Sequence, residues 1–285
     1  MLNILITGAS SGIGRAAAVR LAGEGHRVFA GVRKAADAEA LAAIDHITPV
    51  IMDVTDAGQI AAAAETVAAA VGEAGLHGLV NNAGGGLAYP LELLPLQTFR
   101  DVLEVDTVGQ LAVTQAFLPL LRVARGRVVM IGTIGTRFTP PFAGTLVGAK
   151  AALTALSDAL RQELAPWGIP VVVVQPATIH SEAVGKLARD AEKALESFSA
   201  QGRALYGAAF QSMSSAAVER SAAGSSPDVA AQTISRVFRA TRPRARYLTG
   251  KDSWLLAAAG RLPAAVADAL RRRVFKLPAP GSLAH

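Results

Sequence analysis

Short apolar runs alternate with longer alanine-rich stretches along most of this chain. The runs include "NILIT" near the start and, later, "GRVVMIGT" and "PVVVVQPA", and they are apolar at nearly every position. Such runs are typical of parallel strands that are buried on both faces. The stretches between them, such as "GRAAAVRLAGEG", have the length and residue content of helices. The alternation predicts an α/β fold built on a doubly wound parallel sheet.

The pattern shows no interdomain linker. We expect one Rossmann-type domain over residues 1–242, followed by a basic C-terminal extension over 243–285. Within the domain, the segment 180–226 is polar and helical and follows a predicted strand. Ligands bind beyond the carboxyl ends of such strands, so the segment is predicted to be a substrate loop or lid. A surface insertion without function is the alternative.

Charge is unevenly distributed along the 285 residues, whose net charge is +6. The stretch 236–276 holds 11 Lys and Arg against two Asp, and the rest of the chain is slightly acidic. This pattern indicates either contact with an anionic partner or a solvated arginine-rich surface. The partner could be an acidic carrier protein, a nucleotide-bearing substrate or a membrane surface.

Several function classes are disfavoured by composition. The chain has no cysteine, which excludes disulfides and thiolate catalysis. No apolar run approaches the roughly 20 residues of a membrane span, and no zinc-finger or helix-turn-helix pattern points to nucleic acid. Because the chain starts directly with a strand-like run, we expect no signal peptide and a cytoplasmic location.

Three glycines lie between the first predicted strand and helix. The stretch "ITGASSGIGRAAAV" contains Gly8, Gly12 and Gly14. A tight turn, close approach of the backbone to a pyrophosphate, and close helix–strand packing all require glycine here. The helix N-terminus adds free N–H groups and partial positive charge. The stretch therefore predicts a phosphate-binding loop.

The spacing of these glycines resembles that of the short-chain dehydrogenases/reductases. "TGASSGIG" at 7–14, "NNAG" at 81–84, "DV" at 53–54, a helical Lys150 and the later "QPATI" step occur in the order and spacing of that family. The resemblance covers about residues 1 to 240. "VTQAFLPLLR" and "ALTALSDALRQELAPWGI" are similar to its 17β-hydroxysteroid-dehydrogenase-like and ketoreductase-like branch.

The resemblance implies a nicotinamide cofactor and the residues that hold it. Asp53 and Val54 would flank the adenine, Asn81 and Ala83 would line the adenine-ribose side, and Lys150 would bind the nicotinamide ribose. The pyrophosphate would lie on the glycine loop, and the "QPATI" step would complete the site. Loop and step contribute Gly8, Ser10, Ser11, Gly12, Ile13, Gly14, Pro176 and Ile179.

The end of the second strand predicts which cofactor is preferred. "RVFAGV" is followed by Arg33 and Lys34, where an acid would bind the ribose 2′-OH of NAD. A guanidinium pairs well with a 2′-phosphate, so NADP(H) is predicted over NAD(H). Asp37 could suit NAD, but it is expected to start the next helix.

The family's catalytic Asn, Ser, Tyr and Lys correspond here to Asp106, Thr133, Leu146 and Lys150. In the family, Tyr and Lys are four residues apart on one helix face, and the Tyr exchanges a proton with the substrate oxygen. Thr133 keeps a hydroxyl, Asp106 is near-isosteric with Asn, and Leu146 cannot donate a proton. Carbonyl reduction is expected to be slow unless another donor enters.

Other donors are few. The enoyl-reductase variant of the motif would need Tyr at Ala143. Tyr89 follows "NNAGGGLA" and could line the pocket mouth, and Tyr206 lies in the predicted lid. The chain's third tyrosine is Tyr247. His180 could face the nicotinamide end or be an exposed loop histidine. The donor hypotheses are His180, Tyr206, Asp106 or the substrate itself.

Three functions remain open from the sequence. The first is an NADP(H)-dependent oxidoreductase on a carbonyl or alcohol of a mid-sized apolar substrate, which could be carrier-bound or anionic. The second is a cyclase, isomerase or lyase on the same scaffold, and the third is an inactive cofactor-binding or partner subunit. By analogy with the family, we expect a homodimer or homotetramer built on the helices around 96–121 and 143–166.

Overall fold

The seven strands of the described residues lie in one parallel sheet. The computed structural model describes residues 1–180 and 183–282. The strands lie in the order β3-β2-β1-β4-β5-β6-β7. Strands β1 to β3 therefore follow one another toward one edge of the sheet, and β4 to β7 toward the other edge, so the strand order reverses between β1 and β4. Their bounds are β1 (Asn3–Thr7), β2 (Arg27–Val32), β3 (Ile47–Ile51), β4 (Gly78–Asn81), β5 (Arg127–Ile131), β6 (Val171–Pro176) and β7 (Arg246–Thr249). Such a reversal point is where doubly wound sheets bind ligands.

Helices cover both faces of the sheet and its carboxyl edge. Those packed around the sheet are α1 (Gly12–Gly23), α2 (Ala35–Ala42), α3 (Ala57–Val71), α4 (Leu96–Leu103), α5 (Gly109–Ala124), α6 (Gly144–Glu163) and α9 (Pro227–Arg239). Those beyond it are α7 (Ala183–Glu196), α8 (Ala200–Ala222), α10 (Ser253–Ala259) and α11 (Ala264–Val274). One π-helical turn, Glu104–Val108, separates α4 from α5.

The core has two layers because alternate residues of each strand face opposite sides of the sheet. Ile4 and Ile6 of β1 pack in the layer that contains Leu21 of α1. Leu5 lies on the other face, in the layer of Phe117 and Leu153. Both faces are therefore buried, which is why the strands are almost continuously apolar. The predicted Rossmann-type doubly wound sheet is confirmed.

A third apolar cluster holds the segment 183–226 against the sheet domain. Phe198 and Phe210, from the α7–α8 segment, pack in it beside Tyr89 and Phe138. Phe275 of the C-terminal region joins the same cluster. The polar segment predicted as a lid therefore forms two helices, and residues 181–182 lie outside the described part.

The sheet extends farther along the chain than the sequence pattern suggested. Arg246–Thr249 pair in parallel with Val173–Pro176, so the last strand lies past residue 242, where we placed the end of the domain. "RYLT" is too short and too polar to stand out as a strand by itself. In the described residues no helix is long and apolar enough to cross a bilayer.

Candidate active site

The turn from β1 into α1 depends on glycine at three positions. Gly8 has φ +64°, and a Cβ added to it would lie 2.8 Å from the Ala83 Cα atom. A Cβ on Gly14 would lie 2.3 Å from the Gly8 carbonyl oxygen. Gly12 has φ +54°, and a Cβ there would meet no atom within 4 Å of the described structure. The loop is thus closely packed at Gly8 and Gly14, and the space beside Gly12 is open.

Asn82 holds this loop against the end of β4. Its side-chain amide donates to the carbonyl oxygens of Thr7 (2.9 Å) and Gly8 (3.1 Å). The Thr7 hydroxyl accepts from the backbone N–H groups of Asn82 and Ala83, both at 2.9 Å. Sequence reasoning missed Asn82, although it is the second residue of "NNAG".

Asn81, which we expected beside the adenine ribose, instead directs its side chain into the core. Its amide nitrogen donates to the Thr114 hydroxyl at 2.8 Å, and the residue is fully buried. The alternation of side chains along a strand explains the difference. As neighbours at the end of β4, Asn81 and Asn82 face in different directions.

A cleft of about 670 Å³ lies at the carboxyl edge of the sheet, over the reversal point. It brings together most of the predicted cofactor residues: Gly8, Ser10, Ser11, Gly12, Ile13, Arg33, Asp53, Val54, Ala83, Lys150 and Ile179. Its wall also includes Lys34, Asp37, Asn82, the glycines 84–86 and Leu146. Gly14 packs below the loop, and Pro176 is buried at the end of β6.

One end of the cleft combines a carboxylate with cationic side chains. Asp53 accepts from the Thr55 N–H (2.9 Å) and hydroxyl (2.8 Å). The backbone hydrogen bond is the main reason that the pKa of Asp53 lies below its usual value, and Arg33 contributes to the same shift. Arg33 lies 3.8 Å from Asp53 and is 72% exposed, so its guanidinium remains accessible to a ligand.

The cleft fits a phosphate-bearing dinucleotide. Gly12 leaves open space above the loop at the N-terminus of α1, where backbone N–H groups and the helix dipole favour an anion. Arg33 and Lys34 supply positive charge at one end, and Lys150 lies at the other. The residues therefore match the requirements of a nicotinamide dinucleotide.

Lys150 is paired with Asp106. The Lys150 Nζ atom lies 2.7 Å from the Asp106 Oδ1 atom, and the two side chains are 7% and 0% exposed. Asp106 belongs to the π-helical turn, a feature found often at functional sites. Its second oxygen accepts from the Gly85 N–H at 3.1 Å. The buried carboxylate is thus held between a cation and a backbone donor.

Three consecutive glycines make room for this pair and for Leu146. A Cβ on Gly84 would lie 2.3 Å from Asp106 Oδ1 and 3.0 Å from Lys150 Nζ. A Cβ on Gly86 would lie 2.7 Å from the Leu146 Cβ atom. The three glycines after "NNA" therefore indicate a functional site, and the sequence prediction included only the first of them, Gly84.

Thr133 follows β5 and caps the 3₁₀ turn over Ile134–Thr136, which orients its hydroxyl. Its oxygen accepts from the Gly135 N–H at 3.1 Å. Accepting this bond leaves the hydroxyl hydrogen available for donation to a substrate oxygen. The residue is half-buried and is not part of the cleft wall described above.

None of the chain's three tyrosines lies on α6. The Tyr89 hydroxyl contacts the Ser197 hydroxyl at 2.6 Å, and Tyr247 accepts from the Arg244 N–H at 3.1 Å. Tyr206 donates to the Glu92 carboxylate. This bond raises the pKa of Tyr206, which makes it a weaker proton donor.

His180 is exposed beside the lid. Its backbone N–H donates to the Ser225 carbonyl at 2.7 Å, and its imidazole lies on the surface. This arrangement matches the loop-histidine interpretation better than a role at the nicotinamide end.

Comparisons of the sequence and of the structure with known proteins agree on one family. The family model described as short chain dehydrogenase matches residues 2–192. Mouse "Retinol dehydrogenase 5" is 36% identical over 97% of this chain and 89% of its own length. Rat "Estradiol 17-beta-dehydrogenase 2" is 32% identical over 88% of this chain and 69% of its own length.

Solved structures agree with this match. A short chain dehydrogenase from Burkholderia cenocepacia J2315, in complex with NADP, is 25% identical with a TM-score of 0.70 and covers 98% of both chains. A short-chain dehydrogenase from Streptomyces avermitilis is 26% identical with a TM-score of 0.72, covering 96% of this chain and 95% of its own.

Proposed function

This chain belongs to the short-chain dehydrogenase/reductase family, and from that premise we propose that it is an NADP(H)-dependent oxidoreductase that interconverts an alcohol and a carbonyl group. The observation that supports this most is the cleft, which joins an open phosphate loop at one end to Lys150 at the other. Relatives named for retinol and estradiol support a mid-sized apolar substrate.

Binding of the cofactor is assigned to three groups of residues. The glycine loop, with Gly12 facing open space, would hold the pyrophosphate. Arg33 and Lys34 would pair with the 2′-phosphate, and Lys150 would bind the nicotinamide ribose. When bound, NADP(H) supplies or accepts the hydride.

We assign the proton transfer to Lys150, with Asp106 as its fixed partner. Reduction of a carbonyl needs one proton at the oxygen, and Leu146 has none to give. The Lys150 ammonium lies in the cleft wall one helical turn beyond Leu146. It would pass a proton to the substrate oxygen, directly or through one water, and regain one from solvent. Asp106 keeps the ammonium in place, since the carboxylate is 2.7 Å away.

Steady-state assays and binding measurements together test this proposal. Wild-type protein is mixed with NADPH and a panel of apolar ketones and aldehydes, and with NADP⁺ and apolar alcohols. We expect slow turnover that is lost in Lys150→Met, while calorimetry follows cofactor binding in both. Bound cofactor without turnover of any substrate in the wild type would overturn the oxidoreductase assignment.

A catalytically inactive cofactor-binding subunit is the second candidate. Leu146 favours it, because an apolar side chain occupies the wall of the cleft where the family places its proton donor. Cofactor binding without wild-type turnover, combined with turnover in Leu146→Tyr, would support this candidate. The non-redox alternative is less favoured, since the Asp106 carboxylate is already paired with Lys150 and is not free to act as a base.

We also propose a homodimer or homotetramer built on α4, α5 and α6. Leu96 is 67% exposed at the start of α4, and Val108 is 49% exposed at the end of the π-helical turn, directly before α5. Sedimentation velocity should show an oligomer that Leu96→Gln with Val108→Gln weakens. A wild-type monomer at assay concentrations would contradict this proposal.

A further inference from the structure

The two helices that follow the last strand carry large apolar side chains on their outer surface. Within residues 251–276, five such side chains are between 37% and 68% exposed: Trp254, Leu255, Leu262, Val266 and Leu270. Five large exposed apolar side chains within one short segment favour a contact surface, because exposed apolar residues are normally scattered singly.

Helix α11 is docked on the protein by its other side. Ala267 is buried on this helix, and Phe275, which follows it, is buried in the third apolar cluster near Phe138. Val266 and Leu270 are one turn apart and share a face beside the one that holds Ala267, and both side chains are exposed. The helix thus carries apolar side chains that the described chain leaves uncovered.

Basic residues occur throughout the same segment. Residues 251–276 hold six Lys and Arg against two Asp, a net charge of +4. Arg261, Arg273 and Lys276 are exposed. Arg273 lies one turn beyond Leu270, on the same outward face. Long basic side chains extend their charges past an apolar layer to reach anionic groups.

We propose that α10 and α11 form a docking surface for an anionic lipid membrane. Trp254, Leu255, Val266 and Leu270 would enter the headgroup boundary, while the surrounding arginines and lysines pair with lipid phosphates. The helices are 7 and 11 residues long, which suits helices that lie in the interface plane and not ones that span it.

Charge argues against a second copy of the chain on this surface. In a two-fold symmetric contact the same patch meets itself, so Arg273 and Lys276 would face the same basic residues of the partner. Like charges brought together in this way oppose association. Anionic phosphates above an apolar layer match both the charge and the exposed side chains.

The two tryptophans of the chain provide a matched pair of reporters. Trp254 follows β7 and lies at the carboxyl edge of the sheet, whereas Trp167 precedes β6 and lies at the amino edge. Both are exposed, Trp254 at 68% and Trp167 at 49%. Trp167→Phe leaves Trp254 as the single reporter, and Trp254→Phe leaves Trp167.

The experiment follows tryptophan emission and co-sedimentation with vesicles. With vesicles of equal parts phosphatidylcholine and phosphatidylglycerol, we expect a blue shift in the Trp167→Phe protein and none in the Trp254→Phe protein. Vesicles of pure phosphatidylcholine should bind much less. Arg273→Gln with Lys276→Gln should weaken binding about fivefold per charge removed. Trp254→Gln with Leu255→Gln should abolish sedimentation, whereas Val123→Gln, at an exposed valine on α5, should leave it unchanged.

Two results would overturn the proposal. One is the absence of any Trp254 shift or sedimentation with anionic vesicles. The other is a Trp254 shift that appears with protein concentration alone and coincides with a dimer in sedimentation velocity, which would assign the surface to a second copy. Because neither readout uses NADPH or a substrate, the outcome is independent of the proposed oxidoreductase activity.

Discussion

The Asp106 carboxylate and the Lys150 ammonium meet at 2.7 Å, and their side chains are only 0% and 7% exposed. Desolvating two charges is costly, and removing one partner of such a pair leaves the other uncompensated. The lysine therefore has a carboxylate partner in a site whose proton donor is replaced by Leu146. Asp106 and Leu146, which replace the family's Asn and Tyr, therefore belong to the same site as Lys150.

Asp106→Leu and Lys150→Met should each destabilise the fold by roughly 3–5 kcal/mol, because each leaves one buried charge unpaired. The double variant should be less destabilised than the sum of the two, since both charges are then absent. Urea unfolding of the four proteins measures the coupling. Strict additivity would show that the two groups do not stabilise each other.

Leu146→Tyr should raise the rate of carbonyl reduction by about 10²-fold or more, the typical contribution of a positioned acid. The side chain at 146 lines the cleft one turn before Lys150, so the new hydroxyl would enter the site. Leu146→Phe is the matched control, because it adds the ring without the proton. An equal rate in the Phe and Tyr variants would rule out acid catalysis by the new hydroxyl.

Arg33→Ala should weaken NADP(H) binding about 10- to 100-fold and NAD(H) binding very little. A charge-assisted hydrogen bond to the 2′-phosphate is worth about 1.5–3 kcal/mol, and NAD(H) lacks that phosphate. Calorimetric titration of both cofactors measures the difference. Arg100→Ala, at an exposed arginine on α4, should bind both cofactors as the wild type does. Equal loss of both cofactors in Arg33→Ala would remove the basis for the NADP(H) preference.

His77 should make the fold less stable in mild acid. Burial lowers the pKa of His77, whose ring nitrogen Nδ1 accepts from the Asn3 N–H at 3.2 Å. The unfolded chain therefore takes up a proton at higher pH than the folded protein does. The resulting stability is complete above about pH 6.5, and it is lost as the pH falls below that value and through the lower pKa of the folded state.

Thermal unfolding at pH 8 and at pH 5.5 measures this effect. His77→Asn keeps an acceptor and cannot titrate, so its unfolding temperature should fall less between the two pH values than that of the wild type. His46→Asn, at an exposed turn histidine, should keep the wild-type difference. The same decrease in all three proteins would contradict a role for His77.

Much of this molecule follows from local sequence patterns. Continuous apolar runs predicted the parallel sheet because both faces of such a sheet are buried. The glycines of "TGASSGIG" predicted the phosphate loop because backbone geometry at Gly8 and Gly12 demands a residue without a side chain. Lys150 and Leu146 were assigned through the resemblance to the family, whose Lys and Tyr are four residues apart on one helix.

What the pattern missed depends on contacts between distant parts of the chain. The proximity of Asp106 to Lys150 is created by a π-helical turn packed against α6. The same turn explains why residue 84 is glycine, since a Cβ there would collide with the Asp106 carboxylate. The orientation of β4 in the sheet directs Asn81 into the core and leaves Asn82 to bind the glycine loop. The short strand β7 forms only because β6 offers it an edge.

The sequence by itself therefore determined the sheet, the glycine loop and the absence of a tyrosine on α6, since each depends only on consecutive residues or on residues within one helical turn. Only the tertiary structure decided that the lysine has a buried carboxylate partner, and that large apolar side chains of α10 and α11 remain exposed. Both depend on which surfaces remain once the rest of the chain has packed, and local periodicity carries no information about that.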